Sequence, residues 1–205
     1  MTEPAEVAES AQEVVPGIWH WQIRNSGIGG AVSSCHLFAA DDGAVLVDPV
    51  QLEPERLAEL PRPTAILLTS KGHQRSAWHY RREFGAPVWM PEGTVPPDEE
   101  PDHRYSHGAE LPGGFQALRA PGPGPVHYVL LRGGEPGALV TADLLGGDPG
   151  SGLNWGPLRH HDDPEQSRRT VAGWVDLPFT VLCLDHGGAF ADGKTALRAL
   201  LASDG

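Results

Sequence analysis

The chain has 205 residues, 40% of them hydrophobic, enough for a sizeable core in one generous domain or two cramped ones. Fifteen Lys and Arg against 27 Asp and Glu leave a net charge of −12, which argues against nucleic acid and anionic membrane as partners. No apolar run reaches the ~18 residues of a membrane span, and the opening MTEPAEVAESAQE is acidic where a signal peptide is basic, so a cytoplasmic protein is expected.

Residues 1–13 carry four Glu and no basic residue, and are expected to be a disordered acidic arm ahead of a single domain over 14–205. Structure is expected to start over Val14–Ile23, where apolar positions alternate after the Pro16-Gly17 turn. Ala31–Ala40 and Ala44–Val50 form a predicted hairpin around Asp41-Asp42-Gly43. Glu53-Pro54-Glu55 opens a short helix, with proline at its first position. Thr64–Thr69 is a continuous apolar run, the pattern of a strand covered on both faces. A helix over Gln74–Phe84 and a strand at Pro87–Met90 follow, an order that implies parallel pairing through a right-handed crossover.

The polar stretch 91–114 reads as a surface loop, and 145–162 as a second long loop. Between them lie predicted strands at Phe115–Ala120, Val126–Leu131 and Ala138–Ala142. Asp163-Pro164-Glu165 caps a helix to about Val175, Phe179–Leu184 is another buried strand, and Gly193–Ala202 a closing helix. Cys35 and Cys183 each sit in an apolar run and read as buried, reduced thiols.

Three strand ends carry reactive side chains: Thr69–Ser76, Thr141-Ala142-Asp143-Leu144-Leu145 and Leu184-Asp185-His186-Gly187-Gly188. In order along the chain, several segments resemble those of metallo-β-lactamase-fold proteins of the glyoxalase-II-like hydrolase superfamily. They are Pro16–Trp19, Val45–Pro49, Ala65–Thr69, Phe84–Val88, the TADLL at 141–145 (beside the superfamily's TGDLL) and the DHGG at 185–188 (beside its PGHG). The resemblance implies an α+β, αββα sandwich: two mixed β-sheets face to face, with helices on the outside.

That superfamily normally holds two zinc ions through an HxHxDH loop, and a metal-bound hydroxide attacks an ester, thioester or amide. Here the pattern falls on Ser70, Gly72, Gln74 and Arg75, with His73 one position out of register. The histidine of the next loop falls on Pro123, which has no donor. By position, Asp143 (the bridging ligand) and His186 (the last histidine) survive. Catalytic zinc takes about three protein ligands and a binuclear site about twice that, so a degenerate centre is expected. Arg75, always protonated, would oppose a dication.

On this reading the former metal cleft, carrying Asp143, His186 and His73 and lined by Ser70, Lys71, Arg75 and Pro123, serves a small-molecule-binding or non-zinc enzymatic protein with no cofactor. A mono-metal hydrolase with His73, Asp143 and His186 as zinc ligands is the alternative, and a protein-binding module the third reading. The Asp143 carboxylate is expected to contact His73, His186, Lys71 or Arg75, because an unpaired buried carboxylate costs several kcal/mol. His160-His161-Asp162-Asp163 reads as a solvated face, and Tyr80 as packing. Asp48 reads as a loop stabiliser; whether Cys35 or His36 faces the core is open. Ser70, Ser76 and His73 are close in sequence but form no GxSxG elbow.

Overall fold

The computed structural model describes residues 3–95 and 98–203. It divides into two compact units, Met1–Tyr105 and Ser106–Gly205.

The first unit contains β1 (Gln12–Val15), β2 (Ile18–Asn25), β3 (Ala31–Ala40), β4 (Gly43–Val47), α1 (Pro54–Leu57), β5 (Pro63–Leu67), α2 (Ala77–Phe84), β6 (Val88–Pro91) and β7 (His103–Tyr105). Its seven strands form one sheet in chain order. β1 to β4 pair antiparallel and β4 to β7 parallel, so the sheet is mixed. The Pro16-Gly17 turn expected ahead of the alternating positions falls between β1 and β2, where Gly17 takes φ +84° and turns the chain back on itself. The hairpin glycine, Gly43, has φ +138°, and a Cβ there would meet the Arg62 carbonyl oxygen at 2.6 Å. Helix α2 ends where Gly85 adopts a left-handed conformation and its N–H reaches the Arg81 carbonyl at 2.9 Å.

This unit's core includes Trp21, Leu37, Leu46, Ile66, Trp78 and Met90, each contributing about 1.5–3 kcal/mol by burial. Tyr80 packs there as expected and also uses its hydroxyl, which accepts from Leu52 N–H at 3.0 Å and donates to the Val50 carbonyl at 3.3 Å. Burial pushes its phenol well above the ordinary range. The acidic arm over 3–13 differs from the expected disordered segment. Ala8 is buried, its N–H donates to Gln51 O, and its carbonyl accepts from Glu53 N–H, both at 2.9 Å. Met1 and Thr2 lie outside the described residues.

The second unit contains β8 (Glu110–Leu111), β9 (Phe115–Arg119), β10 (Tyr128–Arg132), β11 (Ala138–Val140), β12 (Leu145–Asp148), β13 (Gly152–Trp155), α3 (Pro164–Ala172), β14 (Val181–Cys183), β15 (His186–Gly187), β16 (Ala189–Phe190) and α4 (Gly193–Ser203). Its larger sheet runs β16-β14-β11-β10-β9-β8, and a small one runs β13-β12-β15. Only β11 and β14 are parallel in the larger sheet, which is therefore also mixed. Leu139, Leu144, Val171, Trp174, Leu182 and Leu197 are among its core residues. Asp163 caps α3, accepting from Gln166 N–H at 2.8 Å, as the Asp-Pro-Glu sequence predicts.

Two expected loops contain strands. The stretch 91–114 includes β7 and β8, and 145–162 includes β12 and β13. These strands are short and mix exposed with buried positions, so no apolar alternation marks them. Cys35 and Cys183 are buried and free of disulfide, and burial pushes the Cys183 thiol up. Among the described residues no helix is long and apolar enough to cross a membrane.

Candidate metal centre

In the second unit, strand order explains why distant residues meet. β11 and β14 are parallel neighbours, with Val140 opposite Cys183, so the residues that follow them emerge at the same sheet edge. Asp143 follows β11, while Asp185 and His186 follow β14. β10 is antiparallel to β11, so its first residues lie at that edge too, and His127 immediately precedes it. The small sheet adds a second constraint. β12 pairs with β15 so that Gly146 lies opposite His186 and Gly147 opposite Gly187. A Cβ on Gly187 would meet the Gly147 carbonyl oxygen at 2.1 Å, so the strand bearing His186 can come this close only as glycine.

The donor atoms are close-set. His186 Nε2 lies 3.2 Å from Asp143 Oδ1 and 3.1 Å from Asp185 Oδ2. On the other side of the same carboxylate, Asp143 Oδ2 is 3.5 Å from His127 Nε2, which also accepts from Asp143 N–H at 3.4 Å. The donor atoms of Asp143, Asp185 and His186 all fall within 4.8 Å of one another. The Asp185 side chain is fully buried and His127 nearly so, while Asp143 and His186 are about a third exposed, so the group has a dry floor and a wet rim.

Asp143 thus contacts His186, one of the four partners expected for it, and also His127. Position-matching to Pro123 misses His127 by four residues. Pro123 is half-buried in the loop before β10, and the histidine lies at the entrance of the strand. The signal was there: a lone histidine preceding the apolar run Tyr128–Leu131. Asp185 was legible only as the residue before His186. His161 is a correction. It is half-buried, not part of a solvated face, and its Nδ1 lies 2.8 Å from Ser167 Oγ at the start of α3. Burial pushes its pKa down, neighbouring His127 pushes it further, and Asp143 opposes both.

In the first unit, His73 ends a 3-10 turn, Lys71–His73, that Ser70 caps by accepting from Gly72 N–H. His73 Nδ1 is 2.8 Å from Thr69 Oγ1 and 3.3 Å from Asp48 Oδ2. Arg75 is buried and donates from Nη1 to the Ser34 and Asp48 carbonyls at 2.9 and 3.2 Å. Gln74 donates to Asp98 Oδ2 at 2.6 Å and accepts from Trp78 Nε1 at 2.8 Å. Lys71 is exposed. Among the described residues, three non-glycine residues have positive φ: Asp48 (+48°), Arg75 (+37°) and Ala142 (+47°). All three lie in the loops that carry these side chains, and backbone strain of about 1–3 kcal/mol each persists where surrounding structure imposes it, often at functional sites.

The second-unit donors fit a metal ion. A tetrahedral ion with bonds of about 2.0–2.2 Å holds its donors about 3.3–3.6 Å apart. The separations of His186 Nε2 from the two carboxylates, 3.2 and 3.1 Å, fall just short of that spacing, so small side-chain shifts would seat an ion among the three. Charge points the same way: one imidazolium neutralises at most one of the Asp143 and Asp185 carboxylates, whereas a divalent cation neutralises both.

No protein-family model and no curated protein matches the chain. Solved structures do. A metallo-β-lactamase from Pontibacter korlensis matches at 16% identity and TM-score 0.71, over 95% of this chain and 97% of that one. The metallo-β-lactamase family protein TTHA1429 from Thermus thermophilus matches at 19% identity and TM-score 0.65, over 94% of this chain and 80% of that one. TTHA1623, in a di-iron-bound form, matches at 24% identity and TM-score 0.60, over 80% of this chain and 92% of that one. At these identities the likeness establishes the fold, and the chain has the metallo-β-lactamase fold.

Proposed function

We propose that the protein is a mono-metal hydrolase of an ester, thioester or amide, with Asp143, Asp185 and His186 of the second unit as ligands. The observation that carries this reading is the position of His186 Nε2, 3.2 Å from one carboxylate and 3.1 Å from another. Counting position-matched ligands argued for a degenerate centre. Adding Asp185 raises the second unit's share alone to about three, the number catalytic zinc usually takes.

Bound divalent metal would supply a hydroxide nucleophile at neutral pH and polarise a carbonyl. The protein's part is to hold the donors. Asp185, fully buried, is shielded from competing water, and Asp143 offers one oxygen to each side, Oδ1 toward His186 and Oδ2 toward His127. His127 Nε2, 3.5 Å from that second oxygen, accepts the Asp143 N–H and so holds the Asp143 backbone in place. The partly exposed Asp143 and His186 are the side from which a substrate carbonyl would approach.

A metal-free small-molecule binder is the second reading. It is favoured by the residues standing where HxHxDH would be, Ser70, Gly72, Gln74 and Arg75, since Arg75 is spent on backbone carbonyls and Gln74 on Asp98 and Trp78. Equilibrium dialysis of untagged protein against zinc or cobalt, followed by assays on ester, thioester and amide panels, separates the two. Metal binding with metal-dependent turnover supports the hydrolase. Ligand capture by metal-free protein with no bound ion supports the binder.

A further inference from the structure

His127, at the entrance of β10, meets the Asp143 turn through contacts that all lie within the second unit. β11 ends at Val140 and the chain turns sharply, with Ala142 at φ +47° opening a 3-10 turn over Ala142–Leu144. The first N–H groups of such a turn have no partner inside it and need a cap. Thr141, at the cap position, makes no side-chain capping bond, and its hydroxyl donates instead to the Cys183 carbonyl at 3.4 Å. His127 Nε2 takes that place, accepting the Asp143 N–H at 3.4 Å. The histidine is itself held independently of the turn. Ala120 N–H donates to its carbonyl at 2.9 Å, and Asp163 N–H donates to the carbonyl of Gly122, in the loop before it, at 2.9 Å.

Sign decides what this contact requires. An amide N–H donates in every protonation state of its surroundings, so the nitrogen facing it has to offer a lone pair. A proton on Nε2 would set two N–H groups against each other. Asp143 Oδ2, 3.5 Å from the same nitrogen, favours such a proton, but a carboxylate can turn its charge to another partner, whereas the amide cannot change sign. Neutral imidazole carries one N–H, which then sits on Nδ1. Nδ1 is buried with the rest of the residue, at 4% exposure, and has no hydrogen-bond partner among the described residues, so it offers an ion no second approach.

We infer that His127 is a positioning residue and not a ligand: a neutral acceptor, protonated at Nδ1, that fixes the Asp143 turn by its backbone and leaves the second unit's ion to Asp143, Asp185 and His186. Groups that orient a metal ligand are commonly worth about 10–100-fold in affinity. A histidine whose Nε2 is spent on an amide cannot complete a second metal position, so the second unit takes a single ion. The purpose of His127 rests on the proposed metal reading, but its tautomer does not.

The test is long-range 15N–1H correlation spectroscopy of the histidine rings in metal-free wild-type protein, at a pH where His127 is neutral, followed by addition of 113Cd. His127 should be protonated at Nδ1 in the metal-free protein. In the loaded protein it should show no 113Cd–15N coupling, whereas His186 Nε2 should show it, with about one cadmium bound per chain. His127→Gln, whose side-chain oxygen can accept the same N–H, should keep most of the cadmium affinity. His127→Leu should lose about 10–100-fold with the stoichiometry unchanged. A proton on His127 Nε2 in the metal-free wild type, or cadmium coupled to a His127 nitrogen, would overturn the inference without recourse to any variant. So would a folded His127→Leu protein that binds cadmium as tightly as wild type. If the wild type binds no cadmium, the metal reading fails, and the tautomer alone decides whether His127 caps the turn.

Discussion

At the scale of single residues, the carboxylates are the decisive groups. Asp185 has a fully buried side chain and Asp143 one about a third exposed, both against the same imidazole nitrogen. Asp185→Asn keeps volume and removes one charge. Zinc affinity should fall by at least about tenfold, measured by competition with a chromogenic chelator, while the thermal midpoint of the metal-free protein holds or rises as like-charge crowding is relieved. Metal affinity should also fall as pH drops through the imidazole range, since protons compete for the ligand nitrogens. Gly187 is a steric case. A methyl group there would sit 2.1 Å from the Gly147 carbonyl, so Gly187→Ala should cost about 1–3 kcal/mol in denaturant unfolding and displace His186, which precedes it. Of these residues, Asp143 and His186 were legible in the sequence because each follows an apolar strand within a familiar short motif. Asp185 and His127 were marked only by their places before His186 and before the apolar run Tyr128–Leu131, and His161 not at all, because what brings them together is the alignment of β10, β11 and β14 at one edge, a long-range property that no local window contains.

At the scale of elements, the strong signals were those with a local cause. β3 spans Ala31–Ala40 as its alternation and flanking turns indicate, and α3 begins at Pro164 behind its Asp163 cap. Asp163→Ala should therefore cost about 1 kcal/mol, read from a urea unfolding curve, without altering metal stoichiometry. The β12–β13 hairpin was hidden because a turn chemistry holds it where apolar content does not. Asp148 Oδ1 accepts from Gly150 and Ser151 N–H, and Oδ2 accepts from Ser151 Oγ–H. These bonds, led by the one from the Ser151 hydroxyl, hold the Asp148 carboxyl below its ordinary value of 3.8. The folded pKa is depressed, so the contribution is fully present above that ordinary value and is lost as pH falls through the folded one. Amide hydrogen exchange at Gly150 and Ser151 should accelerate in Asp148→Ala at neutral pH, and remain slow if the carboxylate is not what closes the turn.

For the molecule as a whole, patterning alone indicated apolar strands, a βαβ crossover and a closing helix, and it was the resemblance of the ordered motifs to metallo-β-lactamase-fold proteins that implied the fold. Its metal content was harder to read. Matching residues to expected positions counts only donors in register, and here His127 lies four residues beyond the expected position and Asp185 at one not counted, whereas Ser70, Gly72, Gln74 and Arg75 stand where ligands would be. A net charge of −12 makes nonspecific cation uptake a real competitor, so stoichiometry has to be tested against the site itself. The most direct measurement is elemental analysis of protein purified without a polyhistidine tag, dialysed against zinc at about 0.15 M salt to screen surface charge. About one zinc per chain in the wild type, abolished in the Asp143→Ala/His186→Ala double variant, is the predicted result. No bound zinc, or the same zinc content in the folded double variant, would contradict it.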